Sequence, residues 1–96
     1  MTSFQENCLS TLKSRAIARG LSFGFLEEKQ GRSEVFVHGK LGGTEFWIYE
    51  DMADIKTGER RKLFEPPDYD FPQALIEAFV LAVLPEGIGS DSMKGG

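Results

Sequence analysis

Cysteine is almost missing from this sequence. Cys8 is the only one, so no intramolecular disulfide can form and a reducing compartment is the natural one. His38 is the only histidine, and one thiol with one imidazole cannot make a zinc-ligand cluster. The longest apolar run, residues 74–84, is about half of what a bilayer crossing needs. No basic segment followed by an apolar stretch opens the chain, so no secretory signal is expected. Positive charge is in deficit, with 11 Lys and Arg against 15 Asp and Glu and a net charge of −4. That argues against a nucleic-acid partner, because phosphate binding relies on a basic face. The expectation is a cytoplasmic protein with no membrane contact.

What remains is enough for one domain. The chain has 96 residues, and eight Phe promise an aromatic core. Ser3-Phe4-Gln5-Glu6 fits a capping box. Phe4, Cys8, Leu9, Leu12, Ala16 and Ile17 then fall on one helical face, and Gly20 is a natural terminator. A helix is predicted over 4–19. Residues 21–27 alternate as a strand with Leu21, Phe23 and Phe25 on the buried face.

Strands are predicted over 34–41 and 44–50, joined by a two-residue turn at Gly42-Gly43. That turn sets the register: Leu41 faces Thr44, Gly39 faces Phe46, His38 faces Trp47, Val37 faces Ile48 and Phe36 faces Tyr49. Alternation places Val35, Val37, Leu41, Phe46 and Ile48 on one face, the expected core side. Phe36, His38, Lys40, Glu45, Trp47 and Tyr49 fall on the other. Residues 51–59 read as an acidic segment ending in a turn at Thr57-Gly58-Glu59, with Ile55 a candidate to continue a strand. A fourth strand at the sheet edge is placed at 60–65. Pro66-Pro67 breaks the chain. Asp70 is a suitable cap for a last helix that begins near Pro72, where proline is tolerated, and stops before Pro85.

The fold class is therefore α+β: helix, a three- to four-stranded antiparallel meander, helix, with both helices on one face of the sheet. The domain is assigned to 1–85 and a flexible tail to 86–96. The helix–three strands–helix order resembles the double-stranded-RNA-binding domain. That family carries a lysine cluster at the start of its second helix, where this chain reads Asp70-Phe71-Pro72-Gln73-Ala74-Leu75-Ile76-Glu77. No functional residue is transferred on that order alone.

With the helices on one side, Phe36, His38, Trp47 and Tyr49 have no cover. Exposed apolar patches of this kind mark interaction sites, and Trp and Tyr are common anchors there. Glu50, Asp51 and Asp54 are read as acidic steering charges toward a basic partner. The helix 74–84 is apolar on nearly every side, and Ile76, Val80 and Val83 would form a homodimer seam if the first helix left them exposed.

Catalysis is not expected, because no nucleophile–base–orienter set can be assembled around His38. No cofactor or metal is expected either, since Asp51 and Asp54 lack the EF-hand spacing. Gly39-Lys40-Leu41-Gly42-Gly43-Thr44 lacks the phosphate-loop spacing and joins two strands. The expected function is that of a small acidic protein-binding module, an inhibitor or immunity-type protein of bacterial or phage origin that occludes its partner. The alternatives are a small-ligand or nucleic-acid module using Arg60, Arg61, Lys62 and the aromatic face, and a mainly structural homodimer.

Overall fold

The computed structural model describes residues 1–84; the expected tail at 86–96 lies outside the described residues. Helix α1 spans Ser3–Ala18. Its capping box begins one residue earlier than expected, on Thr2 and Gln5 instead of Ser3 and Glu6. The Thr2 hydroxyl accepts from the Gln5 amide, and Gln5 Oε1 accepts from the Thr2 amide at 2.8 Å. Gln5 is also fully buried, and its Nε2 donates to the carbonyls of Val35 (2.7 Å) and Ile48 (3.2 Å). Exposed Glu6 makes no such link to the sheet. At the other end, Gly20 takes a φ of 70°. The Leu21 amide then reaches the Ala16 carbonyl and the Gly20 amide the Ile17 carbonyl, a Schellman closure. Gln5, Cys8, Leu12 and Ala16 form the buried stripe, which is narrower than expected: Ile17 is 75% exposed.

Five antiparallel strands follow in a meander, β1 Phe23–Gln30, β2 Val35–Leu41, β3 Thr44–Ile48, β4 Ala53–Thr57 and β5 Arg60–Phe64, ordered in the sheet as in the chain. The β2–β3 register matches the sequence pattern, with His38 opposite Trp47 and Gly39 opposite Phe46. Its turn has positive φ at Gly42 only, and the β4–β5 turn repeats this with Gly58. A glycine at the first central position is the type II′ arrangement, whose twist suits a two-residue hairpin.

Two strand expectations need correction. The meander has five strands, because the acidic segment 51–59 supplies β4: Ala53 and Ile55 point into the core and pair opposite Ile48 and Phe46. Phe25 is not on the core face. Phe23 pairs with Leu41 while Phe25 pairs with Lys40, so the bulge at Gly24 absorbs one residue and turns Phe25 to the opposite side.

A 3-10 turn at Pro66–Asp68 leads to α2, Pro72–Val83. Its N-cap is Phe71, without a side-chain hydrogen bond, instead of Asp70. Pro72 occupies the first turn, where its missing amide costs nothing. Both helices lie on the same sheet face and touch each other. Phe79 sits edge-on between Phe46 and Phe64, at ring distances of 6.0 and 5.9 Å. Ile76, Val80 and Val83 are 2%, 0% and 0% exposed. They belong to the intrachain core, so they cannot serve as a dimer seam while the domain is folded. The one charge of α2, Glu77, meets Arg15 of α1 through both carboxylate oxygens at 2.9 and 3.0 Å.

Candidate functional site

The sheet face away from the helices carries an ordered row of side chains drawn from four strands. Strand alternation brings them there, and cross-strand pairing aligns them. His38 and Trp47 are directly opposite in the β2–β3 ladder, and their rings stack with centroids 5.0 Å apart and planes 9° apart. Phe25 meets the imidazole edge-on at 4.9 Å from β1. The Arg61 guanidinium lies over the Trp47 ring at 5.2 Å from β5. A second pair, Phe36 and Tyr49, lies alongside at 5.5 Å. All five rings are half-buried, neither core nor free.

Polar partners hold this row in place. His38 Nε2 lies 2.6 Å from Glu45 Oε2. A carboxylate can only accept, so Nε2 carries the proton and the ring orientation is fixed. Asp54, opposite Trp47 on β4, is 8% exposed and ion-paired with Arg61. Arg61 therefore neutralises a buried carboxylate and caps an indole at once. The pair uses only one oxygen of Asp54; Oδ1 is buried without a partner. The Tyr49 hydroxyl is pushed above its ordinary pKa by burial and then by the carboxylates of Asp54 and Glu34, with Arg61 opposing. It is a neutral hydrogen-bonding group across the physiological range.

The sequence-predicted residues do not all meet. Phe36, His38, Trp47 and Tyr49 share the open face as expected. Phe25 joins them through the bulge. Alternation alone concealed it, although an isolated glycine inside a strand pattern is the usual sign of a bulge. Of the three steering carboxylates, Asp54 is a buried structural charge. Glu50 and Asp51 are exposed in the β3–β4 loop, and Asp51 lines a separate cleft near α2. The face itself carries both signs of charge, with Lys29, Lys40, Lys56 and Arg61 against Glu27, Glu45 and Asp54.

Arg60, Arg61 and Lys62 line one shallow groove beside the end of α2, together with Ile55, Ala82 and Leu84. Alternation in β5 also carries the Arg61 guanidinium over the Trp47 ring on the aromatic face, so of the three it alone serves both surfaces. On an edge strand such charges also discourage pairing with another chain. Cys8 lies on the helix side, fully buried, with its thiol pushed up to about 12 by burial. It is neither near His38 nor ionised at neutral pH. Among the described residues, no group of three or more His, Cys, Asp or Glu is placed to hold a metal ion, and no helix is long and apolar enough to cross a membrane.

No protein-family model matches the chain, and no match is found among curated proteins or solved structures.

Proposed function

We propose that this protein is a protein-binding module whose contact surface is the open sheet face, centred on Trp47 and Tyr49. The observation that carries the reading is how the rings in the Phe25–His38–Trp47–Arg61 row use their faces. His38 has Trp47 on one side and Phe25 on the other, and Trp47 has His38 and Arg61. A nucleic-acid base needs a free aromatic face for stacking, and Trp47 already has His38 stacked on it and the Arg61 guanidinium over its ring. Half-buried apolar flanks suit packing against a protein surface. A row already locked by Glu45 and Asp54 also loses little rotamer freedom on association.

Within that reading the partner is a protein, occluded by this face, in the manner of an inhibitor or immunity-type protein. Steering toward a basic partner comes from Glu50 and Asp51 at the β3–β4 end, since the face itself carries charges of both signs. Parallel affinity capture from native lysate tests this with wild type, Trp47→Ala and Leu81→Ala. Leu81 is an exposed residue of α2. A partner retained by wild type and by Leu81→Ala, and lost from a folded Trp47→Ala, supports the reading. Equal recovery with both variants contradicts it.

A further inference from the structure

A cleft of about 320 Å³ opens between the first turn of α1, the β3–β4 loop and the start of α2. Phe4, Tyr69, Phe71 and Leu75 are among its lining residues, and its charged groups are Asp51 and Asp70. No basic residue lines it. The volume is at the lower end of the range of small-molecule pockets. We propose that this cleft binds a small quaternary ammonium compound.

The contrast with the open sheet face supports the assignment. There, every ring lies against a second ring or a cation. In the cleft, none of the three rings contacts another ring or a cation, and neither carboxylate side chain has a hydrogen bond or an ion pair, among the described residues. Phe4 and Tyr69 rest on the hydrophobic core and Phe71 stands exposed; three rings without a ring or cation partner beside two unpaired carboxylates are the recognition chemistry of an alkylated cation. The ring faces attract the charge, the alkyl shell fills apolar space, and the acids complete the neutralisation.

Phe71 adds a second observation. It occupies the N-cap of α2 without any capping bond and is 58% exposed. Ser, Thr, Asp or Asn is favoured there, and Asp70 is only one residue away. The chain forgoes that cap and holds an aromatic ring at the rim of the cleft. The N-terminal end of α2 carries roughly half a positive charge. The two carboxylates outweigh it, so the cleft favours cations.

The proposal is independent of the aromatic sheet face. Its test is an amide NMR titration of the whole protein with choline chloride. The comparison compounds are 3,3-dimethylbutan-1-ol, the neutral isostere of choline, and butylammonium chloride. Choline should give saturable shifts at Asp51, Tyr69 and Phe71, with the isostere and the primary ammonium weaker by about tenfold or more. Phe71→Ala and Asp70→Asn, both at exposed positions that leave the core intact, should each weaken choline binding at least severalfold. Choline binding no tighter than its neutral isostere, butylammonium binding as tightly as choline, or shifts confined to other residues would overturn the assignment. Unchanged affinity in both variants would do the same.

Discussion

Gly39→Ala probes the packing at the centre of this sheet. Gly39 lies in the middle of β2, opposite Phe46, and it has no positive φ. The substitution therefore brings no backbone strain and removes no hydrogen bond. A methyl group there would stand 2.5 Å from Phe46 Cζ, 3.0 Å from Phe46 Cε1 and 2.9 Å from Leu26 Cδ1. Phe46 cannot easily withdraw, because Phe23 and Phe79 abut its ring at 6.1 and 6.0 Å and it is fully buried. Overpacking of this kind costs about 1–3 kcal/mol. Alanine's smaller unfolded-state entropy returns about 0.4–1 kcal/mol, which leaves a net loss of about 1–2 kcal/mol. Each kcal/mol lowers Tm by about 4–8 °C in a domain of this size. Urea melts of wild type, Gly39→Ala, Phe46→Leu and the double variant close a thermodynamic cycle. The shorter Leu side chain should make the alanine less costly than it is beside Phe46, giving a coupling of about 1 kcal/mol. A neutral or stabilising Gly39→Ala, or strict additivity, would refute the reasoning.

Gln5→Leu should destabilise by about 2–4 kcal/mol in urea melts, since it strips a buried donor from the Val35 and Ile48 carbonyls and breaks the capping box; a loss no larger than a surface substitution would show that water replaces Gln5. Arg61→Ala should lose about 1–2 kcal/mol despite its exposure, because it leaves Asp54 buried and unpaired, and Asp54→Ala in the same chain should recover much of that loss. Cys8 in the native protein should resist thiol reagents at neutral pH and react once urea unfolds it. Its pKa is raised from 9.0 to about 12 on folding, so above pH 9 the folded state holds a proton that the unfolded state has released. Stability should therefore fall as pH rises through that window, and less steeply in Cys8→Ala; identical slopes would contradict the thiol's part in it.

The parts of this fold legible in the sequence are those where local chemistry and alternation agree. The β2–β3 hairpin could be registered residue by residue because Gly42-Gly43 fixed the turn and the two faces differed sharply in polarity. β4 was obscured by its own charge. Asp54 reads as a solvated acid until the hairpin turn at Gly58-Glu59 folds β5 back and brings Arg61, seven residues on, beside it. Phe25 was assigned to the wrong face because a bulge breaks the two-residue period without changing the composition. The apolar surround of α2 has a tertiary cause: the sheet, α1 and the Arg15–Glu77 contact between them cover it, so Ile76, Val80 and Val83 need no second chain. The aromatic face was recognisable from Trp47 and Tyr49, yet its ring-on-ring order depends on the sheet's geometry.

The claim that the open sheet face is the contact surface is tested most directly by photo-crosslinking in cells. A photoreactive phenylalanine analogue at Lys40 or Lys56, both exposed on that face, is compared with the same analogue at Gln73 or Leu81 on α2. The account predicts a discrete covalent adduct with one partner protein from the sheet positions, absent from the helix positions. Adducts of that partner from α2 alone, or equally from both sides, would contradict it.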